Sequence, residues 1–210
     1  QFRVLNALMN SQIRAKEFDL AWETLEEAET LFMTHPELIG FEIQICNVKG
    51  ALAYFGEHFE LALGVFQKQL DICYTLDDGR ATDTTLMNLT NCFKMLGRFE
   101  EALVWAEEMA IRAPNETAQL SENQIAHYFA DLAEIFVLLG QVQEADLLLQ
   151  PISKWLEQES SSVKAVKART VLALIYRDQK RFAKAFDLIL KNLSDQANDT
   201  TTLLFAAELA

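Results

Sequence analysis

Leu86-Met-Asn-Leu-Thr-Asn-Cys-Phe-Lys-Met-Leu-Gly97-Arg-Phe99-Glu-Glu-Ala102-Leu-Val-Trp-Ala106-Glu-Glu-Met109 carries two helical stripes, one on each side of a single glycine. Before Gly97 the apolar residues fall at Leu86, Leu89, Phe93 and Leu96, a 3-4-3 spacing. After it, Phe99, Ala102, Leu103, Ala106 and Met109 form the second stripe. Glycine takes the left-handed conformation that ends a helix. A connection of two or three residues forces the flanking helices to lie antiparallel. The stretch therefore predicts a helical hairpin.

The pair that opens its second helix recurs along the chain. Phe18/Ala21, Phe59/Ala62, Phe99/Ala102, Val142/Ala145 and Phe182/Ala185 follow one another at intervals of 41, 40, 43 and 40 residues. A fixed period in this range marks a solenoid, in which each unit covers the apolar face of its neighbour. The small Ala lets the two backbones of a hairpin approach, and the preceding Phe fills the space beside the turn. The pattern predicts an all-α protein of five helix pairs: 2–16 with 18–34, 37–56 with 58–76, 80–97 with 99–113, 117–140 with 142–158, and 161–180 with 182–194. All of 1–210 reads as a single solenoid domain. Thr34-His-Pro-Glu37 reads as a capping box. Pro151 lies inside an apolar helix and should kink or break it. Thr200 to Ala210 resembles the opening of a further first helix. With Gln1 in place of an initiating Met, that predicts a piece of a longer protein.

Composition agrees with long helices and short turns. Only 7 Gly and 3 Pro occur in 210 residues, and half of the chain is hydrophobic. The formal net charge of −13 disfavours nucleic acid and anionic membrane surfaces as partners. Cys46, Cys73 and Cys92 are widely spaced without a CxxC, which predicts buried free thiols in a reducing, cytoplasmic compartment. His35, His58 and His127 are scattered, and no HExxH occurs, so no metal or cofactor is expected. No apolar run is long enough to span a bilayer. Of the four sequons, Asn88-Leu-Thr90 falls inside a predicted helix, which argues against glycosylation there.

A first helix of small residues, a Gly turn, an aromatic two residues later and an Ala three further on resemble the tetratricopeptide repeat family. Asn88 to Pro114 is the best copy; Lys16 and Lys180 stand where Gly is common. The resemblance implies a right-handed superhelical solenoid whose first helices line a concave face. The long period, with Leu76-Asp-Asp-Gly-Arg80 before the next first helix, resembles the regulatory subgroup of the family. That subgroup implies a non-catalytic protein- or peptide-interaction module, the sensory or regulatory region of a larger signalling protein, bacterial examples included. A structural scaffold or self-association module, dimerising through Trp22, Phe32 or Phe205, is the other reading.

On the face implied by the resemblance, counting back from each Phe or from Val142 places Asn6, Asn10, Asn47, Asn88, Asn91, Lys94, Asp131, Glu134 and Arg177 in the groove. The five Asn form a cluster on the first three units. An Asn amide both donates and accepts, so such a ladder can hold the backbone of an extended peptide; tolerated polar residues on a helix would look the same. The clamp by which chaperone-binding relatives hold a carboxylate needs two cations, and no window of three repeats supplies them. Asp131 and Glu134, one turn apart, read as a solvated acidic groove, with His127 and Tyr128 as groove or packing residues, rather than as an acid–base pair.

Overall fold

The computed structural model describes residues 1–35, 39–112, 122–158 and 163–195. Among these residues there are eleven α-helices and no strand. They are α1 (Phe2–Arg14), α2 (Phe18–Thr34), α3 (Ile39–Phe55), α4 (Phe59–Thr75), α5 (Gly79–Met95), α6 (Phe99–Ile111), α7 (Glu122–Leu138), α8 (Val142–Leu149), α9 (Ser153–Gln158), α10 (Val163–Asp178) and α11 (Phe182–Asp195). Consecutive helices pair as the repeat predicts, and every second helix begins on its Phe or Val. The chain divides into two compact units, Gln1–Trp105 and Ala106–Ala210, with the division inside α6.

One turn closes the hairpins. The residue two before each Phe or Val has positive φ: Lys16 (61°), Glu57 (61°), Gly97 (70°), Gly140 (76°) and Lys180 (61°). Asp77 (53°) does the same between α4 and α5. Each turn makes the paired hydrogen bonds of a Schellman motif. At Gly97, its own N–H donates to Lys94 O (3.0 Å) and Arg98 N–H to Phe93 O (2.9 Å). At Lys16, the bonds run to Ile13 O (3.0 Å) and, from Glu17 N–H, to Gln12 O (2.9 Å). The repeat is thus a repeat of backbone closure, kept even where the side chain is not Gly. In the second hairpin Gly56 comes one residue early, so Glu57 carries the left-handed conformation.

Ala21, Ala62, Ala102, Ala145 and Ala185 are all fully buried, as expected of the closest point between paired helices. Each donates its N–H to the carbonyl four residues earlier, which starts the second helix. The aromatic of the pair lies beside the turn. Phe18 stacks on Phe55 at 5.8 Å, and Phe59 meets Tyr54 edge-on at 5.4 Å. Phe182 departs from this by staying 56% exposed. No described helix follows α11 to cover it.

In the first unit, Phe2, Leu5 and Met9 of α1, Ala21, Leu25 and Ala28 of α2, and Ile45, Val48 and Leu52 of α3 form one apolar cluster. Trp22 and Phe32, which the sequence suggested as exposed seeds of a dimer, are half-buried against that cluster. Phe205 lies outside the described residues, as do the partial sixth unit from Thr200 and the sequons at Asn115 and Asn198. Of the capping box, only Thr34 and His35 lie among the described residues. Thr34 is the last residue of α2, and its hydroxyl donates back to Leu31 O (2.8 Å). Pro36 and Glu37 lie outside the described residues.

In the second unit Pro151 breaks the helix as predicted. A 3-10 turn, Gln150–Ile152, separates α8 from α9. The apolar stripe survives the break, because Leu149, Ile152 and Leu156 remain buried. Beyond it, Glu157 accepts from Tyr176 OH (3.1 Å) of α10 and Lys184 Nζ (3.1 Å) of α11, which ties α9 to the following hairpin. Arg169 is fully buried in this unit; its Nε donates to Asn192 Oδ1 at 2.6 Å. Asn192 in turn donates to Val166 O and Thr170 Oγ1, closing a polar network that clamps α10 on α11.

Candidate interaction face

The first helices of the first unit, α1, α3 and α5, bring the predicted Asn residues to two cavities. The larger, about 390 Å³, is lined by Asn6 and Asn10 of α1, by Gly40, Ile43, Gln44 and Asn47 of α3, by Gln69 of α4, and by Asp78, Arg80, Ala81 and Thr84 at the start of α5. The smaller, about 210 Å³, is lined by Ala51, Tyr54 and Phe55 of α3, Phe66 of α4, and Asn88 and Asn91 of α5. All five Asn therefore line a cavity, each in the half-buried state of a side chain that still reaches solvent.

The amides also touch one another. Asn10 Nδ2 donates to Asn6 O (2.7 Å) and Asn6 Oδ1 (3.1 Å). Asn88 Nδ2 donates to Asn47 Oδ1 at 3.4 Å, a long bond across neighbouring first helices. Lys94 Nζ reaches Asn91 Oδ1 at 3.3 Å. Asp78 holds the rim in place: its Oδ1 accepts Ala81 N–H at 3.0 Å and caps α5.

Gln69 was not among the sequence-predicted residues. It sits on a second helix, whereas the counting considered first helices only. Its side chain is 1% exposed, and its Oε1 has no hydrogen-bond partner. The signal was a polar residue within the apolar stripe of α4, flanked by Phe66, Leu70 and Cys73, all of them buried.

The second unit is different. Asp131 of α7 is only 3% exposed, so it is not part of a solvated acidic groove. Lys167 of α10 pairs with Asp131 and lies 3.5 Å from Glu134 Oε2. Burial alone would lower the Lys167 ammonium; the two carboxylates outweigh it and hold the group above its ordinary range. One ammonium, 36 residues from Asp131 in sequence, thus faces both carboxylates. Tyr128 is half-buried on the same helix; the His127 side chain lies outside the described residues. Arg177 Nε donates to its neighbour Asp178 Oδ1 (3.0 Å) and is apart from these residues in α10's last turn.

The three cysteines are buried free thiols, as expected. Burial pushes Cys46 up to about 11 and Cys92 up to about 12, and it raises Cys73 as well. Such thiols are poor nucleophiles and poor metal ligands. Among the described residues no group of three or more His, Cys, Asp or Glu side chains is placed to hold a metal ion. Nor is any described helix long and apolar enough to cross a membrane.

No family model and no curated protein matches the sequence. Solved structures do match its fold. A putative kinesin light chain of nearly identical TPR-like repeats from Podosopora anserina superposes with a TM-score of 0.66, at 18% identity over 93% of this chain and 94% of that one. A thermophilic TPR protein from Thermus thermophilus gives 0.64, at 15% identity over 100% and 98%. BtubC (BKLC) from P. vanneervenii gives 0.62, at 18% identity over 93% and 82%. The fold is that of tetratricopeptide repeats.

Proposed function

We propose that this repeat chain is a non-catalytic protein- or peptide-interaction module, which holds an extended segment on the first-helix face of α1, α3 and α5. The observation that carries this reading is the set of five Asn amides lining two neighbouring cavities on that face. Amides that donate and accept match the unpaired N–H and C=O groups of an extended backbone, and they do so without demanding a particular side chain. Asn is a mediocre helix former, so five of them on one helical face carry a conformational disadvantage that binding explains.

The rest of the reading follows from charge and surroundings. With a net charge of −13, the partner is a protein segment rather than nucleic acid or an anionic membrane. Three protonated, buried thiols suit a reducing, cytoplasmic compartment. The module would serve as the sensory or regulatory region of a larger signalling protein. The alternative scaffold reading has less apolar surface to draw on at Trp22 and Phe32, which are half-buried against their own unit's core.

The test is the triple variant Asn47→Ala, Asn88→Ala and Asn91→Ala, titrated with extended peptides selected on the parent protein. Binding should weaken about tenfold or more, as expected for loss of two or more net hydrogen bonds. The melting temperature should hold, since Ala is the better helix former. Unchanged affinity would refute the face as the binding site.

A further inference from the structure

We propose that the solvent side of α11 docks on the acidic solvent side of α2 in a second copy of this chain. The proposal is independent of the peptide-binding reading above, and it starts from a departure in the repeat. Counted from the leading Phe or Val of each second helix, the first and eighth following residues are Asp19 and Glu26, Glu60 and Gln67, Glu100 and Glu107, and Gln143 and Gln150. All eight are polar and exposed, although another hairpin follows each of them in the chain. In α11 the same two places hold Ala183 and Leu190. Leu190 is 48% exposed, and Phe182, Ala183 and Phe186 on the same stripe are exposed as well. A further hairpin is not what this surface is shaped for. With Phe55 of α3 stacked on it, Phe18 is half-buried while Asp19 and Glu26 stay exposed. A helix in the same place after α11 would likewise leave Ala183 and Leu190 in solvent.

Charge selects the partner. Residues 154–191 hold nine of the chain's 18 Lys and Arg but four of its 31 Asp and Glu. On and beside α11 these cations are Lys180, Arg181, Lys184 and Lys191, with Asp187 as the carboxylate among them. Two of them are held in place: Arg181 lies 4.2 Å and Lys184 5.5 Å from the Tyr176 ring centre, and Lys184 Nζ donates to Glu157 Oε1 at 3.1 Å.

Residues 17–48 are the reverse, with eight Asp and Glu and no Lys or Arg. On α2, Asp19, Glu23 and Glu26 face solvent and pair with no cation among the described residues, whereas Glu29 is held by Lys49 at 2.8 Å. Leu20 and Met33 of α2 are exposed apolar residues and offer contact to the α11 stripe. Single surface ion pairs contribute little. Burial of Phe182, Phe186 and Leu190 therefore supplies the affinity, and the opposed charges supply partner choice and encounter rate.

Sedimentation velocity of the full chain over a wide concentration range tests this. The mean mass should rise with concentration at low salt and fall back at high salt. One variant, Ala183→Glu with Leu190→Glu, gives α11 the polar residues of the other repeats; a second, Glu23→Lys with Glu26→Lys, reverses the charge of the α2 face. Each should weaken association about tenfold or more. All four positions are exposed, so both variants should keep the parent's melting temperature. Mixed in equal amounts, the two variants should recover association that each lacks alone, because one keeps the α2 face and the other the α11 face. A chain that is monomeric at every concentration overturns the proposal, whether or not the α11 face binds an acidic peptide or anionic vesicles. Association that the α2 variant leaves unchanged overturns it too, as does a mixture no more associated than its components.

Discussion

Alanine at Gly50 and alanine at Gly64 are the same substitution on two helices of one pair, and their surroundings give it opposite signs. A Cβ on Gly50 of α3 would stand 2.4 Å from Phe66 Cε1, 2.6 Å from Cζ and 2.8 Å from Cδ1. Carbon atoms prefer a separation of about 3.5–4 Å, so the ring must retreat by about 1 Å. Phe66 is 2% exposed and cannot swing into solvent. Overpacking of this kind costs about 1–3 kcal/mol. The better helix propensity of Ala returns about 1 kcal/mol, leaving a net loss near 1 kcal/mol. Gly64 of α4 is exposed, and a Cβ there meets nothing within 4 Å. The propensity gain of about 1 kcal/mol then acts alone. The two variants should differ by about 2 kcal/mol, or roughly 8–16 °C in melting temperature for a unit of this size. Urea denaturation followed by far-UV circular dichroism reads the difference through the midpoint, at equal slope. Phe66→Leu should restore part of the stability lost in Gly50→Ala, as expected of two residues in contact. Equal stability of Gly50→Ala and Gly64→Ala, or no coupling to Phe66, would refute the close approach of α3 and α4.

Two further outcomes follow from the turns and the thiols. Lys16→Gly, Glu57→Gly and Lys180→Gly should each raise stability by about 0.5–1 kcal/mol, because the left-handed conformation strains an L side chain more than Gly gains in unfolded freedom; Gly97→Ala, at φ 70° with open space around it, should lose a similar amount, and thermal melts check all four. Burial raises the thiols of Cys46 (to about 11), Cys92 (to about 12) and Cys73 from an ordinary 9.0, so the fold favours their protonated form. Their contribution is whole below pH 9 and fades as pH rises through 9 toward 11–12, where first the unfolded and then the folded thiols ionise. Urea midpoints measured upward from neutral pH should fall in that window, and a thiol reagent near pH 8 should label the native protein far more slowly than the unfolded chain.

The hairpins were legible because they depend on local rules. Apolar spacing, a turn two residues before an aromatic and a fully buried Ala need no knowledge of distant partners, and helix starts at Phe18, Phe99, Val142 and Phe182 followed from them, with the start at Phe59 one residue later than expected. The break at Pro151 was legible for the same reason: a missing N–H is a property of one residue. The sites were less so. Gln69 is informative only because its oxygen lacks a partner, which no periodicity reveals. Counting along first helices found the Asn face but passed over every second-helix contribution to it.

Asp131 shows how the missing partner changes chemistry rather than just position. Read along α7, Asp131 and Glu134 make an acidic stripe, and a net charge of −13 encourages that reading. Lys167, one hairpin later, pairs with Asp131 and lies 3.5 Å from Glu134 Oε2, so one ammonium faces two carboxylates. A second cation at Asp131 would have to displace an ammonium that the two carboxylates hold above its ordinary range. The larger cavity of the first unit differs, with uncharged amides beside one carboxylate, Asp78, and one guanidinium, Arg80. Net charge and local lining thus differ: the chain is strongly acidic, while the Asn6, Asn10 and Asn47 side chains that line this cavity are uncharged amides, whose hydrogen bonds salt screens little.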